Sequence, residues 1–112
     1  AQAYAALGAT ATWQLDMPFE QVHGNGGLLT TVGDLLIWNE ALRTRQLGGA
    51  LVDSLERRGV LTNGEQITYA AGLVVQDWRG TKEIGHSGAT AGYRAYLARY
   101  PQQRDLSVAV LC

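Results

Sequence analysis

Cysteine, an excess of one charge and long apolar runs are what this sequence lacks. The single cysteine, Cys112, has no partner within the chain, which excludes an internal disulfide framework. Nine Lys plus Arg stand against ten Asp plus Glu, a formal charge of −1, so no summed field draws the chain to phosphate backbones or anionic lipid. Nucleic acid is therefore not an expected partner. No apolar run approaches the roughly 20 residues of a membrane-crossing helix, so no membrane span is expected either. The two histidines, His23 and His86, stand far apart and outside any ligand spacing, which leaves neither a metal site nor a cofactor to expect. The loop His23-Gly24-Asn25-Gly26-Gly27 lacks the Lys-Ser/Thr ending of a phosphate loop and the spacing of a dinucleotide fingerprint, and reads as a turn. Trp13, Trp38 and Trp78 have no basic residues interleaved as base-stacking platforms would need, and read as core or partly buried aromatics.

What is present is 112 residues at 46% hydrophobic composition, enough for one core in one domain. Residues 1–29 carry Gly8, Pro18 and the glycine cluster between short apolar stretches, and read as irregular chain with at most a short strand. Residues 30–60 are a helical segment. Leu35, Leu36, Trp38, Asn39 and Leu42 recur at three- and four-residue spacings and predict a helix from Val32 to Arg43, N-capped by Thr31 with Asp34 in its first turn. Leu51, Val52 and Leu55 predict a second, shorter helix after Gly48-Gly49, with Gly59 as its C-cap. Asn63-Gly64 marks a turn. Residues 68–112 favour strands, with Arg79-Gly80 suited to a hairpin and 106–111 an apolar run of strand length. In 92–100, Tyr93, Tyr96, Leu97 and Tyr100 fit helical spacing and also fit a strand, so periodicity leaves this segment open. Helices followed by a mostly antiparallel sheet make an α+β chain.

One stretch concentrates chemistry. Gly85-His86-Ser87-Gly88-Ala89-Thr90-Ala91-Gly92-Tyr93 places an imidazole, a hydroxyl and glycine-freed amides together. It approximates a G-x-S-x-G nucleophile elbow, which would make Ser87 the nucleophile on a strand-to-helix turn. Ala89 replaces the last glycine, and the residues after Ser87 include Asp105 but no histidine to serve as base.

A second reading rests on resemblance along nearly the whole chain. Gly26-Gly27-Leu28-Leu29-Thr30-Thr31-Val32-Gly33-Asp34-Leu35-Leu36-Ile37-Trp38, then Tyr69-Ala70-Ala71-Gly72-Leu73 with Trp78, then His86-Ser87-Gly88 with Gly92-Tyr93, resemble in order the blocks of the penicillin-recognising serine hydrolases. These comprise the class C β-lactamases, their esterase relatives and DD-peptidase-like proteins. The resemblance implies an antiparallel meander with packed helices, in which 92–100 is a strand. It implies a small-molecule or peptide-like substrate, contacts to it from His86, Ser87 and Gly88, and an oxyanion donor in the backbone amide of Ala89. His86 stands where the β-lactamases carry lysine. An unperturbed imidazole is mostly neutral at pH 7 while an ammonium is charged, a difference that suits the esterase-like branches. Gly26 departs in the same direction, standing where class C β-lactamases place a pocket aromatic.

The family nucleophile is a serine three residues before a lysine, so that the amine sits beside the hydroxyl whose proton it takes. The only lysine here is Lys82, three residues after Arg79, and the residues three beyond Ser54, Ser87 and Ser107 are Arg57, Thr90 and Val110. A Tyr-x-Asn is missing as well. Both elements lie upstream in the family, and the chain opens on Ala1-Gln2-Ala3-Tyr4 without an initiator Met. The expectation is thus a C-terminal fragment of such a hydrolase, inactive alone and prone to self-association through uncovered apolar surface and unpaired strand edges. A noncatalytic binding or structural module with the same fold is the alternative.

Overall fold

The structure, a computed structural model, describes residues 2–9, 12–17, 24 and 26–112. His23 and Asn25 of the glycine-rich loop lie outside the described residues. The first helix, α1 (Val32–Arg43), starts where the sequence predicts it. Thr31 Oγ1 accepts the Asp34 amide at 3.1 Å and donates to Asp34 Oδ2 at 2.9 Å, so the carboxylate rests on the cap hydroxyl beside the positive helix end. Arg43 in the last turn pairs with Glu40 and reaches Asp105 at 3.6 Å.

The second helix, α2 (Gly49–Glu56), follows Gly48, whose φ of 96° a side chain would strain. Its end corrects the sequence expectation, because Arg57 turns the chain out in extended conformation and Gly59 is not its C-cap. Gly59 serves a close approach. Its amide donates to the Tyr69 carbonyl at 2.8 Å and its carbonyl accepts from Ile67, and a Cβ there would lie 3.2 Å from the Ile67 side chain. The Asn63-Gly64 turn forms as expected, with Asn63 Oδ1 accepting the Glu65 amide.

Residues 74–111 form a four-stranded antiparallel meander: β1 (Val74–Trp78), β2 (Thr81–Thr90), β3 (Tyr93–Tyr100) and β4 (Leu106–Leu111), in that order across the sheet. The two-residue loop Arg79-Gly80 has φ of 53° and 79°, the positive pair that a type I′ turn needs to match strand twist. The segment whose spacing fits both patterns is strand β3, as the resemblance implies. A nucleophile elbow requires helix after Ser87, and strand pairing runs instead to Thr90 and back through Tyr93, so that geometry is absent.

Alternation gives the sheet two unlike faces. One carries Val75, Ile84 and Arg99 beneath the helices, where Ile84, Val52 of α2 and Leu42 of α1 are buried. Across this layer Glu56 of α2 pairs with the buried Arg99 and lies 3.9 Å from Lys82. The opposite face carries Trp78, Tyr100, Leu106 and Val108 around a shallow apolar groove. No described element covers it. Trp78 accordingly stays 48% exposed; Trp38 on α1 is 43% exposed, and Trp13 at 65% departs further from the expected burial.

Residues 1–29 are more ordered than their composition suggests. Two strands, here β5 (Tyr4–Leu7) and β6 (Thr12–Leu15) in order of description, pair antiparallel. This hairpin abuts the β2–β3 turn: the Gly92 amide donates to the Asp16 carbonyl at 3.2 Å, and a Cβ on Gly92 would lie 2.7 Å from the Tyr4 backbone nitrogen. The sequence expectation missed it because its registry depends on this distant contact rather than on local apolar alternation.

Candidate active site

The stretch His86-Ser87-Gly88-Ala89 lies exposed on the second half of β2. Its inner edge pairs with β3, placing His86 opposite Leu97, Ser87 opposite Tyr96, Gly88 opposite Ala95 and Ala89 opposite Arg94. Its outer edge pairs with β1 only as far as Gly85, opposite Val74. In an antiparallel ladder, alternate residues turn their N–H and C=O to opposite edges. The tight 78–81 turn directs Thr81, Glu83 and Gly85 toward β1, so Ser87 and Ala89 direct their backbone groups to the same side, where β1 has ended. Among the described residues no strand fills that edge.

Two glycines flank this edge for different reasons. A Cβ on Gly85 would lie 2.2 Å from the Leu97 carbonyl oxygen, so β2 and β3 come too close there for any side chain. A Cβ on Gly88 would make ordinary contact, 3.5 Å from the Ala95 methyl. Packing therefore requires Gly85 and does not require Gly88.

His86 and Ser87 point to opposite faces, as neighbours on a strand do. The imidazole does not reach the Ser87 hydroxyl: its Nδ1 contacts the Ser87 carbonyl at 2.5 Å, and its Nε2 lies 3.2 Å from the Tyr69 hydroxyl. The Tyr69 ring meets the imidazole edge-on, at 5.7 Å between centroids. Among the described residues the Ser87 hydroxyl has no hydrogen bond to a base that would activate it. Sequence reasoning missed the Tyr69 contact, although it had marked the Tyr69 block, because the pair is joined across the 17 positions that the β1–β2 hairpin folds back.

On the Ser87 face, a part-buried polar network centred on the buried Glu83 runs along the sheet. The Tyr100 hydroxyl donates to Glu83 Oε2 at 2.6 Å, Gln76 Nε2 donates to Oε1 at 2.8 Å, and the Tyr96 and Tyr100 hydroxyls lie 3.2 Å apart. Burial pushes the Glu83 carboxyl upward, but the hydrogen bonds from Tyr100, Gln76 and Tyr96 outweigh it and hold the group below its ordinary value. The hydrogen bond to Glu83, followed by that to Tyr96 and burial, drives the Tyr100 phenol well above its usual range. Desolvation raises Tyr96 too. This network keeps one carboxylate charged inside the sheet and touches neither His86 nor Tyr69.

Among the described residues there is no grouping of His, Cys, Asp and Glu that would hold a metal ion, and no helix long and apolar enough to cross a membrane. Neither the curated proteins nor the solved structures compared with the chain include a match. The family model described as Beta-lactamase matches residues 1–112, the whole length over which the three ordered blocks, the meander and the open edge of β2 are laid out. The chain belongs to the Beta-lactamase family.

Proposed function

We propose that this chain supplies the substrate-binding edge of a serine hydrolase that cleaves an ester or amide through an acyl-enzyme, with the nucleophilic serine and its lysine outside residues 1–112. Family membership supports the superfamily-level relation to serine hydrolases. The observation that carries the finer reading is the edge of β2 beyond Gly85, where the Ser87 N–H and the Ala89 backbone groups face a side without a paired strand, the Ser87 carbonyl being taken by His86 Nδ1.

In this reading an extended substrate lies along that edge as one more strand. The nucleophile's oxygen bonds to the substrate carbonyl carbon, and the Ala89 N–H stabilises the charge that gathers on the carbonyl oxygen. Removing one such donor typically costs about a hundredfold or more in turnover. The leaving alcohol or amine departs with a proton, and water then releases the acyl group. Ser87 contributes a hydroxyl to substrate binding, and Gly88, which packing leaves free to carry a side chain, keeps the edge low enough for close approach. His86 presents a ring rather than an ammonium, which favours ester-like substrates over those gripped through a carboxylate.

The test is in two parts. The coding sequence upstream must contain Ser-x-x-Lys and Tyr-x-Asn, and the longer protein must form a stoichiometric adduct with a fluorophosphonate or fluorescent penicillin on that serine. The 112-residue chain must stay unlabelled by both. A Ser87 adduct that Ser87→Ala abolishes would overturn the assignment, and an upstream sequence without either motif would favour a noncatalytic binding module.

A further inference from the structure

We propose that Tyr69 is the positioning residue of His86: the Ser87 carbonyl sets the tautomer, the Tyr69 hydroxyl occupies the remaining ring nitrogen, and together they remove the ring as a carboxylate-binding donor; this rests on the reading of β2 as a substrate-binding edge. Both ring nitrogens are engaged. Nδ1 faces the Ser87 carbonyl, which only accepts, so Nδ1 carries the hydrogen. In the neutral ring Nε2 is then an acceptor, and the Tyr69 hydroxyl donates to it.

Tyr69 is held where this requires by its own backbone. Its carbonyl accepts the Gly59 amide at 2.8 Å, it bridges to Val74, and the preceding Thr68 carbonyl accepts from Val75 at 2.8 Å. The ring packs edge-on against the imidazole at an interplanar angle of 75°, which a phenylalanine would preserve while deleting the hydroxyl. The phenol therefore has one assignable polar role.

The consequence concerns the class of substrate. A neutral His86 held this way has no N–H left to aim at a substrate anion. What remains beside it is the Tyr69 oxygen, whose lone pairs accept, while the Ser87 hydroxyl projects from the other face. Such a surface recognises an uncharged substrate group that brings its own donor, an amide N–H or a hydroxyl, and gives a carboxylate no advantage.

The experiment is long-range proton–nitrogen correlation NMR of the 112-residue chain with ¹⁵N-labelled histidine, at alkaline pH where imidazole is neutral, with His86→Gln identifying which signals belong to His86. The expected result is a protonated Nδ1 and an unprotonated Nε2 in the unmodified chain. In Tyr69→Phe the Nε2 resonance should move further from the protonated form, as an acceptor nitrogen that loses its donor does, while Nδ1 stays protonated. A protonated Nε2 in the unmodified chain, or an unchanged pattern in a Tyr69→Phe variant with native amide dispersion, overturns the proposal. If Tyr69→Phe fails to fold, the Nε2 resonance of the unmodified chain decides: displaced toward the protonated form it carries the Tyr69 hydrogen bond, and at the position of a free acceptor nitrogen it overturns the proposal. The readout is independent of turnover: the expected tautomer with no labelled serine in the longer protein would sink the hydrolase reading alone, and the opposite tautomer with a labelled serine would sink this one alone.

Discussion

Asn39 of α1 donates its side-chain amide to the carbonyl of Ala98 in β3, 3.1 Å away and 59 positions along the chain, with both residues buried. It is a polar position within a helix face that otherwise meets the sheet through apolar contact, and it fixes the helix against one particular strand residue. Asn39→Ala should lower stability by about 1–2 kcal/mol, the scale for loss of a hydrogen bond whose buried partner stays behind. Urea unfolding followed by circular dichroism measures it, and an unchanged midpoint would show that the bond contributes nothing.

Gly85→Ala should be the more damaging change although it adds only a methyl group. The new Cβ would fall 2.2 Å from backbone that cannot move aside without parting β2 from β3. A loss of about 1–3 kcal/mol or more is expected, whereas Gly88→Ala, with ordinary spacing, should leave the urea midpoint nearly unchanged. Equal effects from the two substitutions would contradict the packing described for this edge.

The helices, their N-cap, both expected turns and the 92–100 strand were legible in the sequence, the last through family resemblance because tyrosines at both spacings fit either element. The end of α2 was not, since Gly59 is explained by Ile67 and Tyr69 crossing over it rather than by a helix terminus. The residues proposed for the site lie in one contiguous run, and for that reason His86 to Ala89 could be singled out from sequence as candidates. Tyr69 comes from a separate segment brought alongside by the sheet, and Trp13 is exposed because burial depends on what covers a residue, which periodicity does not encode.

Stability should fall at both ends of the pH scale. Glu83 is held below its ordinary 4.5, so its network stabilises fully above that pH, and the contribution is lost as acid protonates the folded carboxylate. Tyr100 is raised above 10.0, so its contribution is complete below pH 10 and disappears as the phenol ionises at higher pH. Thermal melts across pH should therefore form a plateau bounded near those two values. Glu83→Gln should lower the plateau and flatten its acid limb, and an acid limb of unaltered slope would remove Glu83 from the account.

Glu56→Gln should weaken the attachment of α2 to the sheet, because Arg99 is 8% exposed and its Nε already lacks a partner. Breaking a fully buried pair costs roughly 3–5 kcal/mol, and Glu56 keeps some contact with water, so a loss toward or below the lower figure is expected. Hydrogen exchange should localise the loss to α2 and the C-terminal end of β3, where Arg99 lies. Uniform exchange throughout the chain would mean that the pair does not anchor the helix.

Self-association is the further expectation. Among the described residues the outer edge of β4 has no strand beside it, its sequence LSVAVL carries no charge or proline, and the groove face next to it is apolar. Sedimentation velocity should reveal dimers or larger species as concentration rises, and Val110→Lys at the exposed end of that strand should reduce them. A monomer at all concentrations would exclude the edge as an association site.

The seating of the N-terminal hairpin on the β2–β3 turn has an evolutionary corollary. The Asp16 carbonyl holds the Gly92 amide and the Asp16 amide reaches the Ala3 carbonyl at 2.9 Å, so the hydrogen bonds of the joint are largely main chain, with the Tyr93 hydroxyl donating to Met17 Sδ and the buried Ala3 methyl as its side-chain parts. Relatives can vary the outward faces of that hairpin widely while keeping its position, provided that position 92 remains without a side chain. Substitution tolerance across the strands Tyr4–Leu7 and Thr12–Leu15 should accordingly be broad, and Gly92, in a distant part of the chain, should carry much of the constraint on where those two strands lie.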